Sequence, residues 1–218
     1  MKTKLIVLAL CSALSFNAAS AETKGSLGVG YSSDFYFRGS ELSAEAAQLT
    51  LGVEADLGAA RVKAAAFSNQ STGDGTANTN ILDLSIGNTF ADGLLSLYGG
   101  VKNIDTDGAD SRLDVVLTAG LGTVLSPTVS IARDTDEDLW TYEACVKHTF
   151  ATDVIDITLC GFLGSTDVTT ATDRTYGGAG VTLSKAVGSV EPYASVKVID
   201  AEEIDRDTIV SAGITFNF

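Results

Sequence analysis

The sequence predicts an all-β protein: a transmembrane, antiparallel, up-and-down β-barrel of about twelve strands that follows an N-terminal signal peptide. Three observations support this fold. Apolar and polar residues alternate with a period of two through most of the chain. Along the chain, short connections between these segments alternate with longer ones. The chain ends on Phe218 inside such an alternation, whereas the last residues of a soluble domain usually fray into water.

The N-terminal residues have the layout of a secretory signal peptide. Lys2 and Lys4 precede an apolar run over 5–16, and Ala19-Ser20-Ala21 forms a small-residue cleavage site. We expect residues 1–21 to be removed and residues 22–218 to form one barrel domain. Loss of the two lysines changes the formal net charge from −14 to about −16, and so acidic a chain repels nucleic acid.

The strand predictions rest on the alternation itself. In the segment 47–57, for example, Leu49, Leu51 and Val53 fall on one face, and Thr50 and Glu54 fall on the other. Such segments are predicted at about 25–37, 47–57, 60–69, 81–90, 94–103, 112–122, 128–134, 138–150, 154–164, 174–185, 189–199 and 207–218.

The connections predict the orientation of the barrel. The longer set is rich in Asp, Thr, Ser and Gly and includes "GSELSAEA" at 39–46 and "DAEEIDR" at 200–206. Outer-membrane barrels have longer loops outside the cell and short turns in the periplasm. We therefore expect the loops near residues 40, 75, 107, 168 and 202 to face outward and the turns near 58, 92, 125, 152 and 187 to face the periplasm.

A soluble β-sandwich also alternates, and a secreted amyloid-like repeat is a further all-β possibility. The apolar faces here are mainly Leu, Val, Ile and Ala, which suits lipid, whereas the polar faces carry Gly, Ser, Thr and mixed charges, which suits a wet lumen. No fixed repeat is visible. The composition of the two faces therefore favours the membrane barrel.

The last segment explains why the chain ends on an aromatic residue. A barrel has no free edge because its last strand pairs with its first, so the final strand is expected to be ordered to Phe218. Aromatic residues are expected at the two membrane interfaces, with Phe35, Phe37, Trp140 and Tyr142 at the outer one. Those expected at the inner interface are Phe90, Phe150 and Phe218. The alternative is a soluble edge strand that ends on phenylalanine by chance.

Two stretches resemble known bacterial patterns. "YSSDFYFRGSELS", residues 31–43, resembles the first strand of the TorF family of outer-membrane porin-like proteins, which reads approximately Y-x-S-D-Y-x-F-R-G-x-S-x-S. The matching residues are Ser33, Asp34, Phe37, Arg38, Gly39 and Ser43, while Phe35, Ser40 and Glu41 depart from the pattern. The resemblance implies a barrel of this size with a channel role and names no substrate. "ITFNF" resembles the C-terminal signal that the barrel-assembly machinery recognises, which implies that role for Ile214, Phe216 and Phe218.

Charged and polar residues at inward positions are the candidate functional residues. The alternation predicts that the lumen is lined by Asp34, Tyr36, Arg38, Glu54, Arg61, Lys63, Asp83, Lys102, Arg112, Asp114, Glu143, Lys147, Asp156, Arg174, Glu191, Lys197 and Asp207. Asp34 and Arg38 lie about 13 Å apart along one strand, so each is expected to pair with a neighbouring strand. The set forms either a charged pore lining or a network that fills the lumen.

Cys145 and Cys160 are the two cysteines of the mature chain. If Thr152-Asp153 forms a two-residue turn, Cys145 faces Cys160 on the inward face, and an exported protein offers an oxidising environment. Both a disulfide and two free lumenal thiols are compatible with this placement.

The sequence favours a transport function over catalysis. The single histidine, His148, falls on the lipid face, so it cannot serve an inward nucleophile as a base. "DTDGAD" at 105–110 lacks the closing glutamate of an EF-hand calcium loop, and no metal or cofactor is expected. We expect an outer-membrane, mildly cation-preferring channel for small solutes or ions, with lipid as its surroundings. The alternative is a non-conducting barrel that acts through its acidic loops.

Overall fold

The computed structural model describes residues 22–73, 77–167, 173–202 and 204–218, and the predicted signal peptide lies outside the described residues. The described chain forms twelve strands: β1 (Glu22–Phe37), β2 (Ser40–Asp56), β3 (Arg61–Ser71), β4 (Thr79–Phe90), β5 (Leu95–Thr106), β6 (Arg112–Leu121), β7 (Thr128–Asp134), β8 (Trp140–Phe150), β9 (Asp156–Thr166), β10 (Arg174–Ser184), β11 (Val190–Ala201) and β12 (Ile204–Asn217). No helix in these ranges is long and apolar enough to cross a membrane.

The twelve strands close into one barrel in which each strand pairs antiparallel with its neighbours in the chain. Closure is made by β1 and β12, which pair from Ser26 opposite Asn217 to Ser32 opposite Ser211. Gly25 and Phe218 extend this pairing through reciprocal backbone hydrogen bonds of 2.7 and 2.9 Å. The predicted fold is therefore confirmed, and the last residue takes part in closing the barrel. We call the end that holds Glu22 and Phe218 the terminal end and the opposite end the loop end.

The two faces of the wall differ as the alternation predicts. Large apolar side chains on the outward face are exposed on every side of the barrel, as at Val29, Leu84, Leu117, Leu163 and Val210, which are 44–64% exposed. Their exposure is what a barrel wall offers to lipid, because burial of that apolar surface then comes from the bilayer. The inward face carries Gly, Ser, Thr and charged residues, so the barrel has a polar lumen.

Two predicted loops are strand instead. β2 begins at Ser40, so most of "GSELSAEA" continues the β1–β2 hairpin, and only Arg38-Gly39 forms its turn. β12 begins at Ile204, so "DAEEIDR" is likewise mostly strand. At the β1–β2 hairpin the prediction failed because two residues with positive φ form a tight turn there. The polar residues next to a tight turn can remain in the strands. Arg38 has a φ of 52° and Gly39 a φ of 77°.

Several inward aromatic rings lie flat against the wall because a glycine stands opposite each of them. Tyr176 pairs with Gly164, and a Cβ added to Gly164 would lie 2.3 Å from the Tyr176 ring. Phe162 and Gly178 form the same arrangement, with the added Cβ 2.5 Å from the Phe162 ring. A ring that occupies the missing side chain's space adds packing to the wall and takes less width from the lumen.

This arrangement predicts the effect of a single methyl group. Gly164→Ala should destabilise the barrel by about 1–3 kcal/mol, because the new Cβ overlaps the Tyr176 ring and forces it off the wall. Urea-induced unfolding of the refolded protein in detergent, followed by heat-modifiable gel mobility, measures the change. Gly99→Ala is the matched control, since no atom lies within 4 Å of a Cβ added there. Equal stability of the two variants would contradict the packing role of Gly164.

Candidate functional site in the barrel lumen

The tip of the β1–β2 hairpin, residues 33–45, leaves the barrel wall, and we call it the lumenal hairpin. Pairing of β1 with β12 stops at Ser32, and pairing of β2 with β3 stops at Ala46. Beyond these residues, the described part of the chain shows ladder pairing only between the two arms of the hairpin. The hairpin therefore has no ladder pairing with either neighbouring strand and is linked to its surroundings by individual hydrogen bonds, such as the one from the backbone N–H of Ala77 to the carbonyl of Leu42 at 3.4 Å.

Side chains replace the ladder at the point where β1 departs. Ser32 Oγ lies 2.9 Å from Ser211 Oγ and donates to the carbonyl of Asp34 at 2.7 Å. Ser33 Oγ accepts a hydrogen bond from the backbone N–H of Val210 at 3.0 Å. Serine hydroxyls can satisfy nearby backbone groups in place of ladder partners, so the wall is sealed where the hairpin turns away.

Glu45 marks the corresponding departure of β2. Its φ of 49° is a left-handed conformation that a side chain rarely adopts within a strand. The backbone N–H of Thr72 donates to the Glu45 carbonyl at 2.7 Å, which holds this bend against the end of β3. Ser33 and Glu45 are thus the two points at which the hairpin bends away from the wall.

The hairpin crosses the lumen, because its tip contacts strands far from its own. Arg38 Nη2 lies 2.6 Å from Asp114 Oδ2 on β6, and the two side chains are 6% and 0% exposed. The expectation that Arg38 pairs with a neighbouring strand is therefore wrong. A left-handed arginine costs about 1–2 kcal/mol of backbone strain, and the tight turn at Arg38 and Gly39 imposes this conformation.

Asp114 belongs to a cluster of four charged residues, Arg38, Arg112, Asp114 and Asp134, which we call the arginine–aspartate cluster. Arg112 Nε lies 2.7 Å from Asp114 Oδ1 and 3.0 Å from Asp134 Oδ2. Two positive and two negative side chains make the cluster neutral, as burial of charge requires. Asp134 is the last residue of the predicted segment 128–134 but is missing from the predicted lumen lining, although it alternates with Ala132 and Ser130 on the inward face.

Tyr176 and Arg174 on β10 hold the other side of the hairpin tip. A Cβ added to Gly39 would lie 3.0 Å from the Tyr176 Cβ, so the turn rests directly on this residue. Arg174 donates to the hydroxyl of Ser40. Tyr176 itself donates to Glu143 at 2.7 Å, which fixes the surface on which the hairpin rests.

The arms of the hairpin are held from both sides. Tyr36 donates to Asp207 on β12 at 2.8 Å, and Asn69 on β3 donates to Ser43 at 2.7 Å. The Phe35 ring packs on Phe67 with ring centroids 5.2 Å apart, on the face of β3 that also carries Asn69. The predictions that Phe35 and Phe37 reach the outer membrane interface are therefore wrong, because both residues lie on the hairpin that has left the wall.

Around the hairpin, the lumen is tightly packed. Every strand contributes at least one buried residue, and we call this set the buried layer: Ser32, Ala46, Asn69, Thr79, Ile104, Asp114, Ala132, Asp134, Thr141, Thr166, Tyr176, Ile199, Ala201 and Ile209. All are inward residues of the loop-end half. Together with Arg38 and Ser43 of the hairpin, they close the lumen at this height.

The lumen is open to water from the buried layer to the terminal end. The inward side chains of Glu54 and Lys63 there are 38% and 42% exposed, and Lys147 and Thr149 are exposed as well. Their charges form pairs across neighbouring strands, such as Lys63 with Glu54 at 3.6 Å and Lys102 with Asp83 at 3.5 Å. Because its inward side chains are exposed to water and its charges are paired, we call this half of the lumen the vestibule.

Two lysines of the vestibule cover aromatic rings. Lys63 Nζ lies 4.0 Å from the centre of the Tyr98 ring, and Lys197 Nζ lies 4.2 Å from that of Phe162. Both distances are within the range of cation–π attraction. The lysine heads are thus held near the wall together with the flat rings.

The remaining candidates fall on the same face. The register places Arg61 opposite Gly87, Asp156 opposite Ser184 and Glu191 opposite Thr215, all inward positions. Asp34, opposite Ala44, lies on the lumenal hairpin. The part that these side chains play in selecting a permeant solute stays a prediction.

The cysteine register differs from the expected one. Cys145 stands opposite Phe162, Cys160 stands opposite Lys147, and both are free thiols. The turn after Phe150 is wider than two residues because Thr152 Oγ1 accepts from the backbone N–H of Ile155 at 3.0 Å and extends the loop. The shift is two positions, so both thiols stay inward, but diagonal neighbours lie about 7–8 Å apart, beyond the reach of a disulfide. The prediction that the cysteines face each other is wrong.

His148 lies on the outward face of β8. Its Nδ1 is 2.7 Å from the carbonyl of Val124, and its ring packs edge-on against Phe150 with centroids 4.3 Å apart. Both contacts are with the wall near the terminal end. The imidazole is therefore directed away from the lumen and from its carboxylates.

Solved structures with the same fold include porins. The KdgM porin in complex with disordered oligogalacturonate is similar with a TM-score of 0.62 and 15% sequence identity, over 88% of this chain and 99% of that chain. The NanC porin is similar with a TM-score of 0.59 and 10% identity, over 87% and 98%. LpxR from Salmonella typhimurium, an enzyme, is similar with a TM-score of 0.56 and 12% identity, over 88% and 99%.

The closed barrel, its apolar outer face and these similar structures show that the chain has the fold of an outer-membrane β-barrel. Because porins and an enzyme share this fold, the function has to be argued from the lumen itself. No protein-family model and no curated protein matches the sequence. The resemblance of residues 31–43 to the TorF family therefore stays a prediction.

The register of β8 and β9 predicts the state of the thiols. Mass spectrometry of the non-reduced, natively extracted protein should find both Cys145 and Cys160 alkylated, because diagonal positions hold their sulfurs apart. As a control, the alkylated protein should keep its heat-modifiable gel mobility. This result shows that the thiols were labelled in a folded barrel and not in one that had partly opened. A Cys145–Cys160 disulfide in the folded protein would show that the β8–β9 register is the one with a two-residue turn.

Proposed function

We propose that the protein is an outer-membrane channel through which small solutes or ions diffuse passively. The observation that carries this proposal is the water-exposed, charged vestibule that runs from the terminal end to the lumenal hairpin. A barrel with only a structural role needs no such space, and the flat rings opposite glycines preserve its width. The porin structures with the same fold support the assignment.

A mild preference for cations follows from the charges at the loop end. Exposed carboxylates gather there at Asp107, Asp110, Asp136, Glu137, Asp173 and Glu202, in a chain of formal net charge −14. Such a mouth raises the local concentration of cations and lowers that of anions. Within the lumen the charges are largely paired, so the mouth rather than the wall sets the preference.

The proposed orientation places the terminal end in the periplasm and the loop end outside the cell. In this orientation Trp140 and Tyr142, whose rings lie 6.4 Å apart, reach the outer interface, and the exposed Phe90 and Phe150 reach the inner one. The final strand, with Ile214, Phe216 and Phe218, is then available to the barrel-assembly machinery from the periplasmic side. Lipid covers the outward belt.

A non-conducting barrel is the second candidate, because the buried layer closes the lumen in the conformation described. In that case the acidic loops would act at the cell surface. A variant without the hairpin distinguishes the two functions. Ser33 and Glu45 directly follow the register pair of Ser32 with Ala46, so an Asn-Gly turn can replace residues 34–44 without changing the wall.

We predict that this hairpin-deleted variant forms a steady, ohmic channel in planar lipid bilayers. Under a salt gradient at low ionic strength its reversal potential should show cation preference. The preference should fade at high salt, because screening shortens to about 3 Å at 1 M. A correctly folded variant that does not conduct would support the non-conducting barrel, and anion preference at low salt would contradict the role of the acidic mouth.

A further inference from the structure

We propose that the lumenal hairpin is a gate: it swings about Ser33 and Glu45 and is latched in the closed position by the ion pair between Arg38 and Asp114. This inference rests on the proposed channel function and adds to it how passage is controlled. It is carried by the contacts at the hairpin's base, at its tip and along its arms.

The base of the hairpin permits movement. Ladder hydrogen bonds to β12 and β3 end at Ser32 and Ala46, so a swing beyond these residues breaks no wall pairing. The arms pair with each other as far as Phe37 opposite Ser40, so the hairpin can move as one rigid unit. The left-handed Glu45 and the hydroxyl-mediated contacts of Ser33 concentrate the bend at two points.

The latch at the tip is a single ion pair, and the other contacts of the cluster persist when that pair breaks. Asp114 keeps Arg112 at 2.7 Å when Arg38 leaves, and Asp134 keeps the same guanidinium at 3.0 Å. After opening, both carboxylates keep the guanidinium of Arg112, and water that enters where the hairpin lay stabilises the remaining negative charge. Among the described residues, Arg38 Nε and Nη1 have no hydrogen-bond acceptor, so an Arg38 that moves into water gains partners for both.

The other contacts of the hairpin are packing contacts and hydrogen bonds in which at most one of the two partners is charged. Phe35 rests on Phe67, Gly39 rests on Tyr176, and Ser43 accepts from Asn69. The swing also breaks the hydrogen bonds that Tyr36 donates to Asp207, that Arg174 donates to Ser40 and that the backbone N–H of Ala77 donates to the carbonyl of Leu42. These contacts position the closed hairpin without tying it covalently or through a second buried ion pair in the part of the chain that the structure describes. Removing the hairpin from the buried layer would join the vestibule to the loop end.

Single-channel recording of Arg38→Ala tests the latch. The wild-type protein should dwell mainly in a low-conductance state, and Arg38→Ala should raise the open probability several-fold toward the steady conductance of the hairpin-deleted variant. Arg133→Ala is the matched control. It removes an arginine at the same end that pairs with Asp138 at 2.6 Å on the outward side, away from the hairpin, and its open probability should equal that of the wild type.

A disulfide lock tests the movement itself and does not depend on the stability of Arg38→Ala. Gly39→Cys with Tyr176→Cys places two Cβ atoms 3.0 Å apart in the closed position, about half an ångström inside the ~3.5–4.5 Å that a disulfide spans. Because Gly39 has a φ of 77°, the reduced form of the same double variant is the control for the backbone strain that the new side chain adds. In a background with Cys145→Ser and Cys160→Ser, the oxidised protein should stay in the low-conductance state. Reduction of the same sample should restore openings.

The outcomes separate the gate from the channel. If the hairpin-deleted variant conducts no better than a conducting wild type, the hairpin is not the barrier and the gate is wrong while the channel stands. If Arg38→Ala behaves as the wild type, or the oxidised lock opens as often as the reduced one, the latch or the swing is wrong. If no folded variant conducts, the channel function fails and the gate fails with it.

Discussion

The closure of the wall is the constraint on which the rest of the structure depends. Backbone groups in contact with lipid find no partner in the bilayer, so every strand needs two neighbours at membrane depth. The reciprocal bonds between Gly25 and Phe218 complete this requirement at the terminal end. A side chain at position 25 would collide with the Phe218 ring, since a Cβ added to Gly25 lies only 2.3 Å from it.

The same constraint explains where the hairpin can leave the wall. The last pairs on its two sides are Ser32 with Ser211 and Ala46 with Ser71, both in the loop-end half. There the serine hydroxyls and Thr72 take over the backbone groups that the ladder no longer serves. A departure nearer the terminal end would open the wall at a depth where such substitutes are few.

Inside the barrel, the two halves of the lumen accommodate charged side chains in different ways. In the vestibule, water and cross-strand pairs such as Lys63 with Glu54 accommodate the charges. In the buried layer, where Asp114 is fully buried, only the neutral arginine–aspartate cluster is tolerable, because an unpaired charge there would be very costly. The tip of the hairpin supplies one of the two cations, so folding of the lumen and insertion of the hairpin are coupled.

The sequence by itself determined the number of strands, the face on which each side chain lies and the pairing of the last strand with the first. A period of two carries that information locally, which is why the inward face could be predicted at residues as far apart as Glu54 and Lys197. The predicted inward face of Cys145 and Cys160 is correct although the predicted β8–β9 turn was too short, because a register shift of two positions keeps a side chain on the same face. Only the tertiary structure decided that residues 33–45 leave the wall, that Arg38 binds Asp114 across the lumen and that Asp134 joins them. Alternation is the same in a strand that stays in the wall and in one that folds into the lumen, and an ion pair between distant strands has no local sequence signal.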